Sequence, residues 1–416
     1  MTGLSHGAGE SLSLNARGGL EAIPLAELRS RWSAKWKDFS HDILPMPVAE
    51  MDFPVADAIR SELAKMVATS DLGYLGSIPE LAPAFAGFAK RRWNWDVDQS
   101  QIRVCPDVGV GMVEMTRAVL PAGGKVLINS PVYHNFYNWA TELKIEVVDV
   151  PLSRTLVKSS HLESGVDSPL AGWEYSMDFA AIEAAYKDGV AIHYVCNPAN
   201  PVGTVFSRDE LSQLADLAKE YGVTVFSDEI HGPLTFSEIP FTPFFTVSQT
   251  AREVGVVVTA ASKSWNIAGL KCALVITQDE KVKELLNIAP AAMQWRAGLL
   301  GAVAASIAFT CDEWLDAALI SLEENRRFVA EELAKKLPQV KYRIPNCSYL
   351  AWLDVSDLNL GEEPASTFLE KGKVAFNAGS TFSPIHKDHG QFVRLNFGCD
   401  KSVISEAIDR MVAATK

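Results

Sequence analysis

The 416-residue chain reads as an α/β protein with a large lobe built on a mostly parallel sheet and a smaller α+β lobe. Two observations predict this. From residue 56 to 289, short β-branched and nearly continuous apolar runs alternate with helical patterns, the texture of strands buried on both faces. From residue 290 the pattern changes to one long helical stretch followed by further strand-like runs. With 48% hydrophobic and 21% charged residues, the chain can bury a core large enough for two lobes.

In order, residues 1–24 are Gly- and Ser-rich and read as a mobile tail, and 25–55 as an N-terminal segment joining the small lobe. DAIRSELAKMVAT and LAPAFAGFAKRRW read as helices, and KVLINS, IEVVDV, AIHYVC, VTVFSD, VGVVVTA and CALVIT as strands. The helix DELSQLADLAKEYG lies between two of these strands, with Ser207 before it as N-cap. Strand–helix–strand repeated in this way implies parallel pairing with helices on both faces. The polar, turn-rich segment 153–176 reads as a surface excursion from the large lobe. The small lobe, 290–416, holds a helical stretch from Met293 to Leu337 and the strands YLAWLD and FVRLNF.

Composition excludes several function classes. A formal net charge of -13 argues against binding nucleic acid or anionic membrane, which needs a basic patch. The six cysteines are far apart, with no CxxC pair, and read as reduced, buried thiols of a cytoplasmic protein. The N-terminus lacks the basic start and apolar core of a signal peptide, and no apolar run is long enough to span a bilayer. DVGVGMVEM has Glu114 where a dinucleotide fingerprint needs its third glycine, GGK at 123–125 lacks the rest of a P-loop, and no HExxH exists. A nicotinamide site and a metal site are not indicated.

Three segments carry chemistry: CNPANPVGTVFS (196–207), VFSDEIHGPL (225–234) and TAASKSWNIAGLKCALVI (259–276). Each leaves an apolar strand and ends in polar residues, and in a parallel α/β sheet such ends converge at the carboxyl edge where ligands bind. Lys263 follows a strongly apolar strand and has Lys271 nearby; desolvation and a second cation both lower a lysine pKa and make the amine nucleophilic. A lone lysine there would ordinarily be a solvated loop residue. Asp228 ends its strand. Helix capping is its plain role, but a carboxylate at a strand end in a cleft is also what keeps a pyridine nitrogen protonated. Glu229 reads as structural.

Taken together, Asn200-Pro201 with Gly203, then Asp228, then Ser262-Lys263 resemble, in order and spacing, the fold-type I pyridoxal 5'-phosphate (PLP) enzymes of the aminotransferase class I/II superfamily. The similarity covers nearly all of the chain beyond residue 30. It implies a seven-stranded sheet in the large lobe and PLP as cofactor. Lys263 resembles the lysine that carries PLP as a Schiff base, and Asp228 the partner of the pyridine nitrogen. Asn200 resembles the amide bonded to the cofactor's phenolic oxygen, and Tyr133 the ring stacked on the pyridine. Lys271 matches the cation on the phosphate, to which Val108, Gly109 and Val110 would offer backbone N–H groups at a helix N-terminus. His231 and Ser262 would also face the cofactor. Arg394 resembles the arginine that clamps the substrate α-carboxylate, and Tyr74 the tyrosine reaching into the neighbouring subunit's site, which implies a homodimer. Two positions depart from the common pattern: His231 stands where many aminotransferases have Tyr, and Ala260 where a phosphate-binding Ser is common.

RWSAKWKDFSHDILPMPVAEMDFPVADAIRSEL, with SDEIH and SKSWNIAGLK, is similar to the MalY/PatB-type cystathionine β-lyases, the C–S lyases. This implies α,β-elimination of a sulfur amino acid, cystathionine or a cysteine S-conjugate, to a thiol, pyruvate and ammonia. Trp36, Glu50, Met51 and Asp52 would then lie near the cofactor or substrate mouth, with Met51 and Asp52 on the substrate. The alternatives are an aminotransferase of the same fold, a secondary-metabolism PLP enzyme acting on an S-conjugate by thiol release or oxidative decarboxylation-deamination, and a silent protein that only binds a partner. Intact Lys263, Asp228, Asn200 and Arg394 argue against the last.

Overall fold

Seven apolar runs pair into one sheet in the computed structural model, which describes residues 13–158, 169–279, 284 and 290–416. In chain order the strands are β1 (Ile102–Cys105), β2 (Lys125–Ile128), β3 (Glu146–Asp149), β4 (Val190–Cys196), β5 (Thr224–Asp228), β6 (Gly255–Thr259) and β7 (Ala273–Ile276). Their spatial order is β1-β7-β6-β5-β4-β2-β3. All pairings are parallel except those of β7, which runs antiparallel to both β1 and β6.

Side chains alternate between two apolar layers, as the period of a strand requires. Phe226, Val256, Val258 and Val275 pack with Met112, Met115 and Phe136 of the helices Val108–Val119 and Asn135–Leu143. Val225, Val257 and Leu274 belong to the opposite layer with Leu211 and Leu214 of the helix Arg208–Tyr221. That helix starts in a capping box between Ser207 and Glu210 and stops at Gly222, whose φ of 69° suits glycine.

The small lobe has a four-stranded antiparallel sheet of β8 (Lys341–Tyr342), β9 (Leu350–Asp354), β10 (Asn377–Ala378) and β11 (Phe392–Asn396), in the order β8-β9-β11-β10. The helices Asp312–Lys336 and Lys401–Ala414 contribute Leu322, Val329, Ile404 and Ile408 to its core. Leu44–Pro45 pairs in parallel with Val374–Ala375, so part of the N-terminal segment lies in this lobe.

Three expectations differ from the structure. The stretch from Met293 to Leu337 is three helices, Ala291–Trp295, Leu299–Ala308 and Asp312–Lys336. Gly298 interrupts it, its N–H bonded to the Lys271 carbonyl at 2.9 Å. Leu299–Ala308 packs against the helices Asp57–Ala68 and Leu81–Trp93. The segment 153–176 forms a two-stranded ribbon, Ser153–Val157 with Gly172–Ser176, tied to the small lobe by Trp173 Nε1 donating to Asp354 at 2.8 Å and Arg343 paired with Glu174 at 2.7 Å. Its residues 159–168 lie outside the described part. Of the expected tail, residues 1–12 also lie outside it, whereas Leu20 is buried and its carbonyl accepts from Ser321 Oγ at 2.8 Å. No helix among the described residues is long and apolar enough to cross a membrane, and none of their His, Cys, Asp and Glu side chains cluster as metal ligands.

Candidate active site

The carboxyl ends of β4, β5 and β6 open into a cleft of about 670 Å³ that the small lobe closes with Arg394 of β11. Lys263, Asp228, Asn200, Tyr133, Arg394, His231, Ser262, Lys271 and the Val108–Val110 turn all line it. Residues far apart in sequence thus meet because the strands run parallel and end on one edge.

At the inner end the groups are buried and their electrostatics follow from that. Asp228, the last residue of β5, accepts the Ile230 N–H at 3.1 Å. Burial lifts its carboxyl to about 7, against the pull of that bond and of Lys263. Lys263 is lowered to about 8, first by burial and then by Arg394. Arg394 is lowered to about 10 by burial. Its Nη1 donates to Asn200 Oδ1 at 3.0 Å, and its Nη2 to Asn377 Oδ1 at 2.7 Å and to the Pro47 carbonyl at 2.8 Å. Its Nε is buried and finds no acceptor among the described residues. His231 Nδ1 is equally without a partner there, and burial holds that ring neutral, at about 3. Glu229 faces away from this set: it accepts from Ser227 Oγ at 3.0 Å and the Phe244 N–H at 2.8 Å, a structural role.

The outer end is a helix N-terminus. Asp107 caps it, with Oδ1 accepting the Val110 N–H at 2.9 Å and Oδ2 paired with Lys271 Nζ at 3.0 Å. Of the three N–H groups expected for a phosphate, that of Val110 is therefore already engaged. Gly109 is needed here by close approach: a Cβ would lie 2.9 Å from Trp139 Nε1.

These residues fit PLP. Asp228 is a buried carboxylate without a cation bonded to it among the described residues, which a protonated pyridine nitrogen would supply. Tyr133 offers a ring at the cleft wall. The Asn200 oxygen is taken by Arg394, which leaves its NH₂ as donor for a phenolic oxygen. The orphaned Arg394 Nε is a donor awaiting a carboxylate.

Two expected residues are elsewhere. Asp52 is sealed behind the cleft in an ion pair with Lys35 at 2.8 Å, both side chains 1% exposed, and accepts from Trp36 Nε1 at 3.3 Å. Met51 is buried, its backbone clasped by the Asn266 amide at 3.0 and 2.8 Å. Neither lines the cleft; the neighbouring Pro47, Val48 and Ala49 do. The backbone turns its carbonyls to the site there and the side chains of Met51 and Asp52 into the core. Tyr74 is 94% exposed and away from this chain's own cleft. The sequence reading also missed His134, Asn377 and Arg296 on the cleft wall. Only His134, next to Tyr133, stood near a signal.

The family model for aminotransferase class I and II matches residues 42–411. The cystathionine beta-lyase of Corynebacterium glutamicum is 32% identical over 394 residues, covering 94% of this chain and 98% of that one. Cystathionine beta-lyase PatB of Bacillus subtilis is 32% identical, covering 90% and 92%. The PLP-bound C-S lyase from Staphylococcus hominis superposes with a TM-score of 0.82 at 25% identity, over 95% of this chain and 98% of that one. With a family match across most of its length, the chain belongs to the aminotransferase class I and II family, and its fold is the α/β fold-type I.

Proposed function

We propose that this protein is a PLP-dependent carbon–sulfur β-lyase that cleaves cystathionine or a cysteine S-conjugate to a thiol, pyruvate and ammonia. The observation that carries the reading is the inner end of the cleft: Lys263, lowered to about 8, shares it with Asp228 and with an arginine whose Nε finds no acceptor among the described residues. PLP is the cofactor, and it supplies an electron sink for charge developing at the substrate Cα. Lys263 would hold the cofactor, and its amine in the neutral form would take the Cα proton. Asp228 would keep the ring nitrogen of the cofactor protonated. Arg394 orients the α-carboxylate through paired N–H groups, and Asn200 and Asn377 hold the arginine in place at 3.0 and 2.7 Å. A thiolate leaves without a dedicated acid because it is a stable anion. Tyr74 and Leu72, 94% and 56% exposed, fit a surface covered by a second copy of the chain, with Tyr74 entering that copy's cleft. All six cysteines are buried, which fits reduced thiols in a cytoplasmic protein.

The test is a panel of cysteine S-conjugates and cystathionine incubated with the purified protein and PLP. Stoichiometric thiol and pyruvate are expected. Transfer of the amino group to an added oxo acid, with no thiol released, would replace the lyase by an aminotransferase.

A further inference from the structure

The Lys263 amine has a tie that the proposed reaction leaves unexplained. Nζ donates to the backbone carbonyl of Ala49 at 3.0 Å, and Tyr349 Oη donates to the same oxygen at 2.9 Å. Tyr349 is 1% exposed, so its hydroxyl has no water to turn to. The strap around Ala49 is pinned on both sides. Arg394 holds the Pro47 carbonyl at 2.8 Å, Asn396 holds those of Val48 and Glu50 at 2.6 and 2.7 Å, and Asn266 clasps Met51 at 3.0 and 2.8 Å. A carbonyl with two donors and anchored flanks is a fixed acceptor. It takes an N–H but has no proton to give, so an amine resting on it keeps a lone pair for the substrate.

We propose that the Ala49 carbonyl, fixed by the Tyr349 hydroxyl, is the seat that orients the Lys263 amine for proton abstraction, which makes Tyr349 a positioning residue. The step balances within the proposed reaction, on which this inference rests. The Nζ lone pair would form an N–H bond as the Cα–H bond breaks, and the electron pair left at Cα would be taken up by the electron sink that the cofactor supplies. The same strap joins the amine to the carboxylate clamp, because Arg394 grips it two residues before Ala49. Base and substrate anchor are therefore set by one piece of backbone.

Three measurements on Tyr349→Phe test this. First, the rate at which cofactor-free protein captures PLP, followed by absorbance, is expected to fall about fivefold, the size of one neutral hydrogen bond. Second, exchange of the Cα hydrogen of L-alanine in D₂O, followed by proton NMR, is expected to slow about tenfold while the concentration dependence on alanine moves less than about twofold. This readout involves no leaving group and is indifferent to lyase against aminotransferase. Third, in Lys263→Ala protein rescued with ethylamine, the same substitution is expected to add nothing, because the amine it positions is gone. An equal loss in both backgrounds, or no loss in the first, would overturn the proposal. If Tyr349→Phe is recovered unfolded, Asn266→Ala loosens the strap at Met51 with Tyr349 intact; it must slow alanine exchange in the same way, and unchanged exchange refutes the seat. Failure of the unaltered protein to take up PLP or exchange alanine removes the functional reading itself, and is seen before any variant is made.

Discussion

The two ends of the cleft are built on opposite physical terms. At the inner end Asp228 and Arg394 are 5% and 4% exposed, and burial moves both away from their ordinary ionisation. Arg394 Nε and His231 Nδ1 find no partner there among the described residues, and the backbone of a distant strap is drawn in to hold the rest. At the outer end Lys271 and Asp107 are 58% and 41% exposed and satisfy each other, with the helix N-terminus capped by the same aspartate. The inner end is incomplete by itself and strongly polarised; the outer end is complete and screened by water. A group placed across the cleft therefore gains most from the inner residues, where water does not compete, and less from the outer pair, where it does.

The largest effect should come from Lys263→Ala. Loss of the Schiff-base amine and the proton acceptor together should lower kcat/KM by about 10⁴-fold, and borohydride should no longer fix the cofactor to the chain. Measurable turnover close to that of the unaltered protein would break the contrast at its centre.

Arg394→Lys comes next. It keeps the charge but not the fork that grips Asn200, Asn377 and Pro47. A rise of about 10- to 100-fold in KM is expected, as for lost hydrogen bonds to a charged group, and it should change little between low and high salt.

The third concerns pH. Burial and Arg394 lower Lys263 to about 8, so the neutral, nucleophilic amine predominates above that value and the protonated form below it. Capture of PLP by the cofactor-free protein should therefore fall about tenfold for each pH unit below about 8. A midpoint near that of an ordinary solvated lysine would show that the inner end is not enclosed.

Smallest is Lys271→Ala. At an exposed pair the loss should be no more than a few-fold in PLP affinity, and it should shrink further as salt is raised. A salt-independent loss of a hundredfold would place this end on the same footing as the inner one.

The strands that carry the site were legible because parallel strands buried on both faces must be apolar throughout, and VTVFSD and VGVVVTA are. Asp228, Lys263 and Asn200 stood out as polar groups at or just past the ends of such runs, and Arg394 as a charge inside an apolar strand. The stretch 293–337 keeps helical periodicity across Gly298, where the backbone is extended and the N–H turns to the Lys271 carbonyl. Met51 and Asp52 were drawn toward the substrate by their place in a motif, although Asp52 serves Lys35 in the core.

By itself the sequence determined the α/β class, the lysine and carboxylate at the strand ends, and the arginine that faces them, because these depend on residue type and order. Only the tertiary structure decided which residues surround the Lys263 amine. The acceptor there is the carbonyl of Ala49, and every residue has a carbonyl. Which one becomes a seat depends on where Tyr349, Asn396 and Asn266 bring the strap, a matter of packing between segments that the linear order keeps apart.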